Sequence, residues 1–306
     1  MKGMTSIGIS DVSLFIPPAK IELSSIVDYR TAEHPEHPGL ERKLRRAVTK
    51  TGQKAIRFPS PWEDTATLAA EAALGLFQTK NPPDPESFRY LVVGTETSLD
   101  HSKPLASYVQ GMLKQSGVSL TENLSTYQIQ HACAGQALAM LSVLGLLNAT
   151  ENSEEKGIVI GSDISRYSLG TTAEITQGAG ATALLLEKNP KLVSLDLARV
   201  GYASHDVDDF FRPLNSDTAK VKGYYSVQCY HEALNSAFND HSRRSGLTPA
   251  EALSETDLFV LHTPFRNMPE AGLLMLLNKH LDLDQDAGQA FLNERGFYEG
   301  IDPVAE

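Results

Sequence analysis

The fold is decided by residues 125–147, which read STYQIQHACAGQALAMLSVLGLL. Ser125–Ile129 is strand-like, and Ala137–Leu147 is an apolar helical pattern. Cys133 therefore falls at the first turn of a helix, where unpaired backbone N–H groups and the helix dipole favour a thiolate. The segment predicts a nucleophilic Cys133. The alternative, more common for an intracellular cysteine, is a small buried residue that packs like alanine.

Composition describes an ordinary globular protein. The 306 residues are 41% hydrophobic and 21% charged, which is enough to bury a large core. A formal net charge of -11 argues against a nucleic-acid groove and against binding to an anionic membrane. Two cysteines, Cys133 and Cys229, are too few for a disulfide framework and lack metal-ligand spacing, so we expect no metal site.

The sequence predicts a cytoplasmic protein. We find no apolar run of the about 18–20 residues that a membrane-spanning helix needs. The N-terminal residues Met1–Ser6 lead directly into a strand pattern rather than into the apolar core of a signal peptide.

Strand and helix patterns alternate along the chain, which is typical of a layered α/β protein. The predicted strands are Ile7–Ile16, Arg89–Thr95, Gly157–Gly161, Gly178–Leu186, a segment near Lys191–Ala198, and Asp257–Leu261. The predicted helices are Glu63–Gln78, Lys103–Gly117, the one after Cys133, Ser226–Asn239 and Met268–His280. No low-complexity linker separates these sets, so we expect two closely packed halves.

The two halves resemble each other. Tyr90–Thr97 and Leu258–Phe265 each form an apolar run that precedes a helix and ends at one ionisable residue, Glu96 or His262. Ligands of open α/β sheets bind at the carboxyl ends of strands. Glu96 and His262 are therefore candidate site residues. The alternatives are a solvated loop acid for Glu96 and a satisfied buried histidine for His262.

Seven motifs in order resemble the 3-hydroxy-3-methylglutaryl-CoA synthase family, a branch of the thiolase superfamily. The similarity extends to about Leu277. The motifs are Ile7–Pro17, Gly94–Thr97, His131–Cys133, Arg166–Tyr167, Thr176–Ala181, Asp209–Pro213 and His262–Met268.

The resemblance implies the thiolase fold, a five-layer α/β/α/β/α arrangement of two halves, usually as a homodimer. We assign residues 1–187, with the candidate glutamate and cysteine, to the first half and residues 188–306, with the histidine, to the second. The resemblance also implies that the protein is an acyltransferase. Cys133 would be acylated by acetyl-CoA, Glu96 would act as general acid and base, and His262 would position a β-ketoacyl thioester.

These residue types suit that chemistry. A thiolate accepts the acyl group, and a carboxylate in a dry pocket exchanges the methyl proton. Coenzyme A thioesters enter as substrates, so no permanently bound cofactor is expected. Tyr167, Arg212, Pro264, Phe265 and Arg266 are candidate substrate-binding residues, with surface or packing roles as the alternative.

Three departures separate this chain from the family pattern. Ala134 replaces an aromatic residue after the nucleophile, and Gln136 stands where a second small residue is usual. Asn267 replaces a lysine associated with coenzyme A, with Arg266 just before it. The family also continues beyond this sequence with further strands. We therefore expect the second half to lack its C-terminal strands, so that either the sequence is incomplete or a second polypeptide supplies them.

The sequence leaves several functions open. The first is condensation of acetyl and β-ketoacyl groups carried by coenzyme A or an acyl carrier protein, as in the mevalonate pathway or polyketide β-branching. The second is a decarboxylative ketoacyl synthase, which has no need of Glu96. The third is a non-catalytic or split subunit of a thiolase-like complex. Such a subunit would be free to lose its reactive residues, but this chain keeps Glu96, Cys133 and His262, which counts against this function.

Overall fold

The computed structural model describes residues 6–294. Predictions that concern Met1–Thr5 or the C-terminal segment 295–306 lie outside the described residues. Within them, two compact units are present. The first comprises residues 6–33, 54–167 and 177–197, and the second residues 34–53, 168–176 and 198–294. The division at residue 187 stays a prediction.

The strands within residues 6–294 lie mostly in the first unit. They are β1 Ile7–Phe15, β2 Ala19–Glu22, β3 Ala55–Phe58, β4 Phe88–Thr95, β5 Ser125–Gln130, β6 Lys156–Ser165, β7 Gly178–Lys188, β8 Val193–Ser194, β9 Phe210–Phe211 and β10 Lys220–Val221.

The helices of the same residues are found in both units. They are α1 Leu23–Glu33, α2 Leu40–Thr51, α3 Thr65–Gly75, α4 Leu105–Gln115, α5 Gly135–Ala149, α6 Gly223–Ser245, α7 Pro249–Glu255, α8 Met268–Leu281 and α9 Gln285–Glu294.

A six-stranded mixed sheet forms the core of the first unit, in the order β5-β4-β6-β7-β1-β8. Strand β4 is parallel to both β5 and β6, whereas β7 is antiparallel to β6 and β1. Helices α3 and α4 pack against one face of the sheet, where Leu91 and Val93 of β4 point. Helix α5 packs against the opposite face, where Val92 points. The apolar runs read as buried strands are thus covered on both faces, and the α/β prediction is confirmed.

Helix α3 begins two residues later than the sequence pattern indicated. The carboxylate of Asp64 accepts a hydrogen bond from the backbone N–H of Thr67 at 2.8 Å, and the Thr67 hydroxyl lies 2.7 Å from the Asp64 N–H. This reciprocal pair forms a capping box. The cap, rather than the acidic residue Glu63 before it, sets where the helix starts.

The apolar helix α5 bears on the membrane expectation. Residues 132–149 are, by length and composition, apolar enough to cross a membrane, so the view that no segment reaches that length was too strict. Ala139, Val143, Leu144 and Leu147 of this helix are buried against the sheet. Packing of this kind is typical of a core helix.

The second unit is mainly helical, and its small sheet pairs only β9 with β10. The predicted strand Asp257–Leu261 is wrong, because this segment has no strand partner among the described residues. Buried and exposed side chains nevertheless alternate along this segment. Phe259 and Leu261 pack against the helical core, whereas Leu258 is 73% and Val260 86% exposed. The expected repeat of β4 is therefore absent at this point.

Candidate active site

Cys133 lies in a strained turn between β5 and α5. Ala132 has a φ of 38°, in the left-handed region that residues with a Cβ seldom adopt. The single turn Ala132–Ala134 follows β5 and leads into α5 at Gly135, and Cys133 is exposed. Backbone strain of this kind concentrates at functional sites. The turn holds the thiol at the helix start, as the sequence predicted.

Two glycines let the end of β4 approach the start of α5. A Cβ on Gly94 would lie 2.1 Å from the carbonyl carbon of Gly135, and a Cβ on Gly135 would lie 2.9 Å from the Thr95 nitrogen. Neither contact is sterically possible. The absence of side chains at Gly94 and Gly135 therefore brings the two backbones together.

Glu96 follows directly on β4. Thr95 pairs with Gln130 in the parallel ladder of β4 and β5, so both strands end at the same edge of the sheet. Glu96 leaves this edge one residue after Thr95, and Cys133 leaves it three residues after Gln130. The structure thus brings these two predicted residues to one edge of the first unit. Glu96 is partly buried there.

Asp163, on β6, holds the backbone at Glu96. Its Oδ1 accepts hydrogen bonds from the Glu96 N–H at 2.8 Å, the Thr97 N–H at 3.0 Å, the Thr95 hydroxyl at 2.8 Å and the Thr97 hydroxyl at 2.7 Å. Burial raises the pKa of the Asp163 carboxyl, although the hydrogen bonds from Thr97, Glu96 and Thr95 oppose the shift. Desolvation is the stronger effect.

A buried polar network supports this arrangement from α3. The Thr65 hydroxyl donates to the Thr97 carbonyl at 2.8 Å, and the Ser162 hydroxyl donates to the Thr65 carbonyl at 2.7 Å. The Ile164 N–H lies 3.1 Å from the Thr97 hydroxyl. Satisfied buried networks restrict the backbone to one conformation. The loop that carries Glu96 is therefore fixed from two sides.

Cys133 lines a pocket of about 300 Å³ within the first unit. The wall is formed by the end of β1, by the turn before α5 and by β4, β6 and β7. Cys133, Gln136, Asp163 and Thr182 are among the residues that line it. The Thr182 hydroxyl donates to Gln136 Oε1 at 2.8 Å, and Gln136 Nε2 donates to the Thr182 carbonyl at 3.3 Å. The candidate nucleophile thus faces a small, partly polar cavity.

His262 belongs to the second unit, in the extended segment before α8. The Tyr230 hydroxyl donates to the His262 carbonyl at 3.3 Å, and the two rings lie 6.4 Å apart between centroids. The residue as a whole is exposed, but its imidazole is partly desolvated, which lowers the pKa of His262. The lowered pKa favours the neutral form of the imidazole.

The candidate substrate-binding residues divide between the units. Tyr167 follows β6 in the first unit and is half-buried. The others belong to the second unit. Arg212 follows β9 and is half-buried, as are Pro264 and Phe265, whereas Arg266 is exposed.

Asn267, which replaces the family's lysine, has a structural contact in the second unit. Its Nδ2 donates to the Lys50 carbonyl at 3.1 Å, and its N–H approaches the Thr51 carbonyl at 3.4 Å. Both carbonyls lie at the C-terminus of α2, where helical carbonyls lack intrahelical partners. Gly52, with a φ of 69°, leaves room for the amide, because a Cβ there would lie 2.6 Å from Asn267 Oδ1.

Sequence reasoning missed Asp163 and the contacts of Gln136. The signal for Asp163 was a carboxylate inside the apolar run of β6, where a charge is costly without several partners. Gln136 was noted only as a departure from a family pattern. Within residues 6–294, His, Cys, Asp and Glu side chains form no group of three or more that could hold a metal ion.

Two family models match the chain in sequence. The one described as hydroxymethylglutaryl-coenzyme A synthase N terminal matches residues 5–191, and its C-terminal counterpart matches residues 194–297. The Enterococcus faecalis hydroxymethylglutaryl-CoA synthase is 27% identical over 281 residues, which cover 92% of this chain and 67% of that protein. The Bacillus subtilis polyketide biosynthesis 3-hydroxy-3-methylglutaryl-ACP synthase PksG is 25% identical over 288 residues, covering 90% and 64%.

A solved structure of MvaS in complex with 3-hydroxy-3-methylglutaryl coenzyme A superposes with a TM-score of 0.78 at 32% identity. The match covers 96% of this chain and 68% of that one. This chain therefore spans about two thirds of the length of the proteins it matches here.

Proposed function

The chain belongs to the hydroxymethylglutaryl-coenzyme A synthase family of the thiolase superfamily, and we propose that it joins an acetyl group held on Cys133 to a β-ketoacyl thioester. The observation that carries this proposal is the common sheet edge of Cys133 and Glu96. A nucleophile in a strained turn and a glutamate whose backbone N–H is held by Asp163 follow neighbouring parallel strands.

The first step forms an acetyl-enzyme. The Cys133 thiolate attacks the carbonyl carbon of the donor thioester. The carbon–sulfur bond to Cys133 forms, the carbon–sulfur bond of the donor breaks, and the carrier leaves as a thiolate that takes up the proton released when Cys133 ionised. Backbone N–H groups at the start of α5 are suited to stabilise the oxyanion. The exposure of Cys133 in the pocket supports access by a thioester.

The second step forms the carbon–carbon bond. The Glu96 carboxylate removes a proton from the methyl group of acetyl-Cys133, and the resulting carbanion equivalent attacks the ketone carbon of the acceptor. Glu96 then returns the proton to the new alkoxide. Water finally hydrolyses the enzyme thioester, which releases the product acid and Cys133.

His262 is assigned to hold the acceptor by donating a hydrogen bond from its imidazole to the acceptor carbonyl. The lowered pKa of His262 supports this role, because a neutral imidazole donates without placing a full charge beside the thioester. Tyr167, Arg212, Pro264, Phe265 and Arg266 are assigned to substrate binding. Arg212 and Arg266 supply the positive charge that a phosphorylated carrier arm needs.

The carrier is coenzyme A or an acyl carrier protein, since relatives of both descriptions match the chain. Both carriers present the thioester on the same pantetheine arm. Comparing acetyl-CoA with an acetylated carrier protein as donor, at equal concentrations, separates the two. A cytoplasmic location stays a prediction from the sequence.

We also assign a homodimer to this chain. Support comes from β5, which is an edge strand of the sheet in the described residues, and from α5 beside it, where Leu146 is 40% exposed. An open edge strand next to exposed apolar surface is suited to pair with a second copy. Native mass spectrometry tests this, and the same measurement would detect any second polypeptide bound to the chain. Leu146→Glu should weaken the dimer, whereas Leu214→Glu, at a 78% exposed site of the second unit, serves as control.

The function is tested by following label from radiolabelled acetyl-CoA. Cys133→Ala should abolish acetyl-enzyme formation, and Glu96→Ala should leave acetylation intact but lose condensation with acetoacetyl-CoA. Normal condensation by Glu96→Ala would remove the assignment. Product from a malonyl thioester with release of carbon dioxide would favour the decarboxylative synthase, and no labelled Cys133 with any donor would favour a non-catalytic subunit.

A further inference from the structure

Gln136 lies three residues after Cys133, and both line the same pocket. Gln136 belongs to the first turn of α5, but its side chain contacts β6 and β7. It lies over Gly161 of β6 and bonds to Thr182 of β7. A side chain from the nucleophile's own helix therefore forms part of the wall that any acyl group on Cys133 would meet.

The position of this side chain is fixed from both ends of its amide. Oε1 accepts from the Thr182 hydroxyl at 2.8 Å, and Nε2 donates to the Thr182 carbonyl at 3.3 Å. Gly161 leaves the space that the amide occupies, since a Cβ at that position would lie 2.5 Å from Gln136 Oε1. Because both amide atoms are bonded, the Gln136 side chain always occupies the same part of the pocket.

The other pocket residues on β6 and β7 have smaller side chains. Among the described residues they are Gly161, Ser162, Asp163, Gly180, Ala181 and Thr182. Asp163 is bound to the loop that carries Glu96. Gln136 is accordingly the longest side chain on this part of the wall, and truncating it is the single change that enlarges the pocket most there.

We propose that Gln136 limits the length of the acyl group that Cys133 accepts, so that acetyl fits and longer acyl chains are rejected. This inference rests on the proposed function and narrows its donor substrate. A rigid wall rejects a longer chain through steric overlap, whereas a mobile one would yield. The Thr182 contacts are thus part of the same device, and Thr182 acts as a positioning residue.

The test measures acylation of Cys133 in single turnovers with acetyl-, propionyl- and butyryl-pantetheine, followed by intact mass and peptide mapping. Pantetheine thioesters are used because coenzyme A and carrier proteins share that arm. Gln136→Ala should raise the rate with butyryl relative to acetyl by about 10-fold or more, as expected when space for one or two methylenes is opened. Gln136→Asn, one methylene shorter with the amide kept, should show a smaller gain.

Two controls separate volume from polarity and from rigidity. Gln136→Leu fills a similar volume without an amide and should keep the preference for acetyl. Thr182→Val removes the hydroxyl that donates to Gln136 Oε1 but keeps the backbone carbonyl that accepts from Nε2. It therefore loosens the amide without emptying the wall and should relax the preference only in part. Thermal unfolding of each variant checks that the fold is intact.

Each remaining outcome decides against the inference. If the wild-type protein acylates equally with all three donors, or if Gln136→Ala and Gln136→Asn leave the preference unchanged, Gln136 does not set chain length. If Gln136→Leu relaxes the preference as much as Gln136→Ala, the amide rather than its volume is responsible. If no donor acylates Cys133, the proposed function itself is wrong, and the inference fails with it.

Discussion

Replacing Asp163 by alanine tests whether this carboxylate holds Glu96 in place. The substitution removes the acceptor of four hydrogen bonds, two from backbone N–H groups of Glu96 and Thr97 and two from hydroxyls of Thr95 and Thr97. The Thr97 hydroxyl keeps Thr65, whose hydroxyl lies 3.1 Å away. The Thr97 N–H keeps a second acceptor, the Thr95 hydroxyl at 3.0 Å. The Glu96 N–H and the Thr95 hydroxyl lose Asp163 as acceptor, at about 1–3 kcal/mol each.

Loss of the buried carboxylate also removes its desolvation cost, which opposes the loss of hydrogen bonds. We expect Asp163→Ala to lower the free energy of unfolding by about 2–4 kcal/mol, measured by urea denaturation. Asp163→Asn keeps an oxygen acceptor of the same geometry and should cost less than about 1 kcal/mol. Because the pKa of Asp163 is raised in the folded state, wild type should lose stability relative to Asp163→Asn as pH rises through that pKa.

The functional readout separates positioning from stability. Asp163→Ala should retain acetylation of Cys133 but condense acetyl with acetoacetyl-CoA more slowly, because the backbone at Glu96 is no longer held. Asp163→Asn should condense faster than Asp163→Ala. If Asp163→Ala unfolds within about 0.5 kcal/mol of wild type and condenses at the wild-type rate, the hydrogen-bond network does not hold the acid and the reasoning fails.

Three further predictions concern backbone strain and titration. Ala132→Gly relieves a left-handed φ and should stabilise the protein by up to about 1 kcal/mol in urea, while acetylation slows; a loss of stability would mean that the turn is unstrained. Burial alone would raise the pKa of Glu187, but bonding to Lys156 at 2.5 Å helps to lower it. Glu187→Gln should therefore cost about 1–3 kcal/mol at pH 7, and the difference should shrink as pH falls through the lowered folded-state pKa of Glu187; a difference that does not change with pH would contradict the assignment. Desolvation lowers the pKa of His262, so its NMR titration midpoint should lie below 6.5 and should rise in Tyr230→Ala; an unchanged midpoint in that variant would exclude shielding by Tyr230.

The sequence predicted the first unit well because its signals are local. The β4 strand is an apolar run bounded by polar residues, and the start of α5 follows from a change of periodicity within a few residues. Neighbouring positions supply those signals, so no knowledge of the tertiary fold was needed. The family resemblance then indicated which of the residues at the strand ends are assigned catalytic roles.

The features that the sequence did not predict correctly depend on contacts between residues distant in sequence. Asp163 acts on residues 66–68 positions earlier, and no periodicity within β6 reveals that pairing. The Asp257–Leu261 segment has strand-like alternation, but a strand needs a partner for its N–H and C=O groups, and the described residues provide none. Its inward residues pack on helices instead.

The first unit places its two candidate reactive groups by independent means. The left-handed φ at Ala132 turns the chain so that Cys133 lies in the turn that leads into α5, whereas hydrogen bonds to Asp163 on a third strand fix the backbone at Glu96. The close approach of Gly94 to Gly135 then joins the two devices, because it presses the end of one strand against the start of the helix. A side chain at Gly94 would therefore separate both groups at once. The geometry of the site therefore depends on Gly94 and Gly135 at least as directly as on the two reactive residues.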